Sequence, residues 1–395
     1  MTGSGRRARI GWTLLGVLAI ATVLRPSVVV IGPVLRPLQT DLGLGSTAAA
    51  LLTTLPVLCF GVGAFAGPWL VRRLGVDIGL TVSVVLLIVG SLVRVLGGSA
   101  LLFVGTAVTG GAIAVGNVLL PALVRRDFAT RIGPITGLYT STLAMSSGVA
   151  ALTAVPLAAL GGAGWRIPLG FWCLMAVVAL AAWAPHQWRR RGPTDPGVDL
   201  PSHHSGLRLL RHPTVRSLTL YMGLQSIGFY AMVTYLPTIL TDHGVSPSTA
   251  GALLSLAAVL GIPASLLVPI IAARMRDQRA VAVGTSVLPA LGWAGLLLFP
   301  DINPLMWTVL LGIGTGATFP TALLLIGLRS SNPTVTPQLS AVVQGVGYLL
   351  AAGGPFMVGE LHGMTSNWEA ALMLLVGLNI LQLLAARSAG RSDPI

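Results

Sequence analysis

Arg25 is the residue whose position most needs a chemical explanation. It lies inside an apolar run from about residue 11 to 35, some fourteen residues or roughly 21 Å from one end and about ten residues or ~15 Å from the other, at 1.5 Å per helical residue. A guanidinium cannot snorkel to water over either distance, and a charge buried in hydrocarbon costs from ~2.5 kcal/mol upward. It must therefore meet a polar cavity, a ligand or backbone carbonyls. Its helical neighbours Ala21, Thr22 and Gly32 are small, as a cavity wall requires. Pro26 beside it supports the other reading, a kink whose freed carbonyls hold the guanidinium. No Asp, Glu or His falls in the middle third of any apolar run, so the ligand chemistry that suits Arg25 is an anion or an electron-rich polar solute.

Polar, uncharged side chains can complete such a pocket. Tyr230 and Tyr348 fall at a similar depth in their own apolar runs, and Asn117, Tyr139, Gln225 and Gln344 lie roughly two turns nearer the arginine-rich side. Phenols and amides add directional hydrogen bonds without adding charge. The plainer roles are packing for the tyrosines and interhelical hydrogen bonds for the amides. Arg94, three residues from Gly97, is expected to snorkel outward, and Arg36 and Arg166 are expected at a solvated rim.

A second cluster, Arg72, Arg73, Asp77, Arg125, Arg126 and Asp127, sits at the ends of apolar runs, where it can gate a pathway or set topology. The chain contains no Lys, which excludes a Walker A phosphate loop and a Schiff-base Lys for pyridoxal phosphate or retinal. Cys59 and Cys173 lie in apolar runs without metal-ligand spacing and read as buried thiols. With no nucleophile, acid–base pair or metal cluster in view, no cofactor and no enzymatic activity are expected.

The elements that must position these residues follow from hydropathy. Of 395 residues, 54% are hydrophobic and 9% charged, against about a quarter charged in ordinary soluble domains. Runs long enough to cross a ~30 Å hydrocarbon core recur at about 11–35, 47–71, 78–97, 100–124, 134–158 and 166–184, then at 217–240, 248–273, 280–299, 304–327, 338–360 and 368–386. They predict an all-α membrane protein of twelve transmembrane helices, with an N-terminal half over 1–184, a polar cytoplasmic linker over 185–216 and a C-terminal half over 217–395. The apolar stretch after Arg9 continues past Arg25 without a cleavage site, so it is expected to be an uncleaved first span.

Assigning both termini and the even-numbered loops to the cytoplasm collects 20 of the 24 basic residues there, as the positive-inside tendency requires. The net charge of +13 is then a matter of topology, and no nucleic-acid partner is needed to explain it. Thr40-Asp41-Leu42-Gly43-Leu44 recurs as Thr241-Asp242-His243-Gly244-Val245, and Trp165 and Trp368 precede the sixth and twelfth spans. Two parallel repeats of six helices, with substrate held near the midplane between them, account for this pattern.

Leu24-Arg25-Pro26, the run LLTTLPVLCFG at 51–61, GNVLLPALVRRDF at 116–128, TGLYT at 136–140 and QGVGYLLAAGGPFMVG at 344–359 resemble the cyanate and nitroimidazole transporter (CynX/NimT) family of the major facilitator superfamily. That resemblance covers nearly the whole chain. It implies the pseudo-symmetric major facilitator fold and secondary active transport of a small anionic or polar organic solute (cyanate-, nitroimidazole- or carboxylate-like) across the cytoplasmic membrane by alternating access. A monomer with a small-molecule substrate and the lipid bilayer as partners is expected. Other readings are an exporter of drug-like or cationic compounds and a sensor that keeps the transporter fold. One departure stands out: the superfamily's loop after the second span usually reads G-x-L-x-D-R-x-G, and here Arg72 takes the place of the Asp. Asp77 and Asp127 are the candidate replacements.

Overall fold

Apolar runs bounded by glycine, proline and short polar caps become helices in a computed structural model, which describes residues 3–160, 162, 164–189, 207–331, 335–365 and 367–391. The first run is broken where Arg25 and Pro26 fall. Helix α1 (Gly3–Leu24) ends at that pair, and α2 (Pro26–Val29), a 3-10 turn (Gly32–Val34) and α3 (Leu35–Leu42) carry the chain onward. Next come α4 (Ser46–Gly63), α5 (Ala66–Leu96), α6 (Ser99–Asp127), α7 (Ile132–Ala159) and α8 (Arg166–Arg189). The remainder is α9 (Pro213–Asp242), α10 (Pro247–Arg274), α11 (Arg279–Leu298), α12 (Pro304–Arg329), α13 (Thr336–Thr365) and α14 (Glu369–Ala389).

Helix α5 is two helices joined at Gly75, whose φ of 79° only a residue without a side chain adopts cheaply. The second crossing is therefore α4 with the first part of α5, and the third begins at Val76. Counted this way, the described residues make twelve crossings, and ten helical stretches are long and apolar enough to span a membrane by composition alone. The two that fall short are α4, whose apolar part is Leu51–Gly63, and α9, whose 30 residues include Thr219, Tyr221, Gln225, Ser226 and Tyr230. Helix α8 runs through Arg189, so the expected linker start at 185 is still helical; most of that linker, including Arg190, Arg191, His203 and His204, lies outside the described residues.

Contacts group the chain into two units. The first holds 1–129, 142–203 and 333–341; the second holds 130–141, 204–332 and 342–395. The most buried spans are α6 and α12, each 78% buried over its most apolar stretch, because both carry glycines that let a neighbour's backbone approach. In the first unit, a side chain on Gly63 would strike Ala114 and the Gly111 backbone; in the second, one on Gly316 would strike the Gly261 backbone. In the second unit the opening turns of α7 also lie on α10, where Thr140 Oγ1 donates to the Ser265 carbonyl (3.2 Å) and the Ser141 and Ser265 hydroxyls are 3.0 Å apart.

The repeat read from the sequence has a structural counterpart within each unit. Gly43 (φ 61°) ends α3 and Gly244 (φ 83°) follows α9, each in the left-handed conformation that closes a helix. Beside the first, Trp165 Nε1 donates to Asp41 Oδ2 at 2.9 Å; beside the second, Trp368 Nε1 donates to Asp242 Oδ2 at 2.7 Å. Each bond ties the start of a unit's last span to the end of its first.

Candidate functional site

In the first unit the break in the opening span is what gives Arg25 its setting. Val28 and Val29 both donate backbone N–H bonds to the Arg25 carbonyl (3.0 and 3.1 Å), and Arg25 itself is half-buried near the middle of the span Gly11–Val34. Helix α6 reaches the same place. A side chain on Gly116 would come 2.9 Å from Leu24 Cδ2 and 3.0 Å from the Ser83 hydroxyl, so α6 presses onto the residue before Arg25 with the residue before Asn117. Asn117, next to Gly116, is half-buried.

The remaining pocket candidates belong to the second unit. Helices α9 and α13 meet along Gly223 and Gly347, each of whose backbones lies about where the other's side chain would be. Higher up, Tyr235 donates to the Pro355 carbonyl at 2.7 Å. Gln225 and Tyr230 on α9 and Gln344 and Tyr348 on α13 flank this seam. Gln225 is 3% exposed and spends its amide N–H on the Met222 carbonyl (3.0 Å) and the Ser226 hydroxyl (2.6 Å), a helix-internal role. Tyr230 is half-buried and packs edge-on against Phe229, while Gln344 and Tyr348 are buried. Tyr139 on α7 is 1% exposed, and its hydroxyl has no hydrogen-bond partner among the described residues. Leaving a buried hydroxyl unsatisfied costs about 1–3 kcal/mol, a deficit that a ligand or water acceptor removes.

The basic and acidic cluster of the first unit forms a network. Arg126, at the end of α6, grips Asp77 through both terminal guanidinium nitrogens (Nη1–Oδ2 2.9 Å, Nη2–Oδ1 2.7 Å) and also donates to Asp127 (Nε–Oδ1 2.9 Å, Nη2–Oδ2 3.0 Å). His186 joins it, with Nε2 2.9 Å from Asp77 Oδ1 and Nδ1 2.8 Å from Thr13 Oγ1, and its ring stacked on Trp183 at 4.3 Å. Arg125 and Arg72 are half-buried and Arg73 is exposed. Sequence reasoning missed His186, which it placed in the linker. The available signal was Trp183 one helical turn earlier, since that spacing continues α8.

Arg94 departs from expectation. It does not snorkel: it is 1% exposed, its Nη1 donates to the Ser27 carbonyl at 2.7 Å and its Nη2 to the Ser91 hydroxyl at 3.2 Å. The cause is the tight seam between α5 and α6, where a side chain on Gly105 would come 2.7 Å from Arg94 Cγ, so that the arginine stem is held inward.

Among the described residues no group of three or more His, Cys, Asp or Glu is placed to hold a metal ion. Residues 17–355 match the Major Facilitator Superfamily. The chain is 36% identical to the 2-nitroimidazole transporter of Escherichia coli (strain K12), with 97% of this chain and 96% of the relative covered. It is 31% identical to the cyanate transport protein CynX of the same organism, covering 94% and 96%. Among solved structures it is similar to the proton:xylose symporter XylE, with a TM-score of 0.76 at 13% identity over 96% of this chain and 95% of that one, a likeness of fold alone. The chain is a multi-pass membrane transporter, not an enzyme, and belongs to the major facilitator superfamily, within it to the cyanate and nitroimidazole transporter (CynX/NimT) family.

Proposed function

We propose that this protein moves a small anion or polar organic solute across the cytoplasmic membrane by alternating access, with Arg25 as the group that recognises its negative charge. The observation that carries the reading is a guanidinium at a break in the first span, near the middle of Gly11–Val34, where α6 packs onto Leu24 with Gly116, the residue before Asn117. The relatives are named for 2-nitroimidazole and cyanate, small solutes that present negatively polarised oxygen or nitrogen atoms, which fits a site of one cation and uncharged donors. In the second unit Tyr139, Gln344, Tyr348, Tyr230 and Gln225 are proposed as further substrate-binding residues; the unsatisfied Tyr139 hydroxyl supports the first most strongly, and Gln225 is the weakest because its donors are already engaged. The Arg126–Asp77–Asp127 cluster, with Arg72, Arg73 and Arg125, is proposed as the gate. Both termini are assigned to the cytoplasm, the working form is a monomer, and the functional halves are 1–184 and 217–395.

The test is uptake of labelled cyanate and 2-nitroimidazole into proteoliposomes, with thermal-shift titrations of anions and cations in detergent. Arg25→Ala is expected to fold and insert but to lose about 2–5 kcal/mol of anion binding. Arg25→Lys keeps a point charge and is expected to recover cyanate better than a planar carboxylate, which needs both arms of a guanidinium. Anion uptake by Arg25→Ala at the wild-type rate would falsify the assignment.

A further inference from the structure

We propose that Arg94 is a positioning residue for Arg25: it holds the broken segment of the first span in place, and so sets where the substrate-recognising guanidinium stands. This rests on the reading of Arg25 given above.

The argument starts from the backbone at the break. Val30 N–H returns to the Pro26 carbonyl at 3.0 Å, but Ile31 N–H turns to the Val28 carbonyl at 3.2 Å. A regular helix would have sent Ile31 to Ser27. The Ser27 carbonyl is thereby released in the interior of a membrane protein, where an unsatisfied carbonyl is costly. Arg94 Nη1 supplies the missing donor at 2.7 Å. Ser27 is fully buried, and its own hydroxyl is engaged with the Val23 carbonyl at 2.9 Å, so it has no local means of satisfying that carbonyl.

Arg94 suits the task for three reasons. Its charge strengthens the bond to the carbonyl. Its second arm is fixed by Ser91, and its stem is hemmed in by Gly105, so the donor is presented from a rigid surface. The carbonyl it holds is two residues from Arg25, on the short stretch that includes α2. Letting go of that carbonyl allows the segment to relax and Arg25 to shift, with no loss of charge at the site itself.

The test uses the full chain in detergent micelles and reads two quantities. One is amide hydrogen exchange over residues 25–34; the other is sodium cyanate affinity by calorimetry. In Arg94→Met, exchange over 25–34 is expected to rise while α6 stays protected, and cyanate is expected to bind on the order of ten- to a hundredfold more weakly, the scale of a misplaced binding group. Arg94→Lys retains the charge and one donor; it is expected to fall between wild type and Arg94→Met, and it replaces the latter if that variant does not fold. Unchanged exchange over 25–34 overturns the proposal. So does raised exchange with wild-type cyanate affinity, when Arg25→Ala loses binding. If Arg25→Ala binds cyanate like wild type, the reading of the site fails and the affinity half of this proposal fails with it, an outcome that the exchange data distinguish from a failure of Arg94 to hold the segment.

Discussion

At the end of α6 the first unit closes Arg126 onto two carboxylates, Asp77 and Asp127, with His186 sharing the Oδ1 oxygen of Asp77; at the end of α12 in the second unit Arg329 meets neutral acceptors in Gln278 and Gly390. Arg329 Nη2 donates to Gln278 Oε1 at 2.6 Å and to the Gly390 carbonyl at 2.9 Å, and Gln278 N–H donates to that same carbonyl at 3.2 Å. The plan is shared. In both units an arginine at the end of the fourth span is tied to the start of the third and the end of the sixth. The chemistry differs, since Asp77 and His186 are replaced by an amide and a backbone carbonyl. Arg329 is also the more deeply buried of the two, at 4% exposure, whereas the Arg126 side chain keeps 26%. The repeat thus conserves where the helix ends meet, and leaves the charge pattern free to diverge. The first unit's clamp joins side chains of opposite charge, Arg126 with Asp77 and Asp127, which makes it the better candidate for a gate.

Breaking the two clamps gives the largest expected effect. Asp77→Ala removes one of the two carboxylates on a partly buried guanidinium, with the two hydrogen bonds it accepts from Arg126 and its contact to His186, and is expected to cost about 3 kcal/mol. Gln278→Ala leaves Arg329 its bond to Gly390 and removes one charge-assisted bond, for about 1.5–3 kcal/mol. Thermal unfolding in detergent measures both. Equal losses, or a larger loss for Gln278→Ala, would show that the charged clamp is not the stronger one.

The tryptophans that open the sixth and twelfth spans sharpen the comparison. Trp165→Phe and Trp368→Phe each remove one indole–carboxylate bond from equivalent places, and each is expected to lower the unfolding midpoint to a similar extent. The same unfolding measurement applies, and losses differing by more than the smaller of the two would count against structural equivalence.

The smallest effect concerns pH. Trp165, and then Arg166 at 2.8 Å, hold the Asp41 carboxyl below its ordinary range. A carboxylate whose folded-state pKa is depressed contributes stability above its unfolded pKa and loses it as pH falls through the folded value. The contact is therefore expected to be intact at neutral pH and to weaken on acidification below the usual carboxylate range of about 4. The midpoint of unfolding followed from pH 5 to pH 3 checks this, and Asp41→Asn should remove that part of the slope. An unaltered slope in Asp41→Asn would leave Asp41 without a role in acid sensitivity.

What the sequence determined by itself was set by local properties. Twelve crossings followed from apolar runs, because partitioning into hydrocarbon depends on stretches of chain and not on what packs beside them. The duplication followed from Thr-Asp-x-Gly and Trp, and the oddity of Arg25 from its depth in an otherwise apolar run. Tertiary structure decided the pairings, because these depend on how each helix is rotated and how closely its neighbours approach. Trp165 finds Asp41 across 124 residues, and Arg94 turns inward to Ser27 because glycines bring α5 and α6 together. Arg126 faces Asp77 only because Gly75 ends one helix and lets the next begin beside α6. Side-chain depth could be read along the chain; the direction each side chain faces could not, since that is fixed by the helices around it.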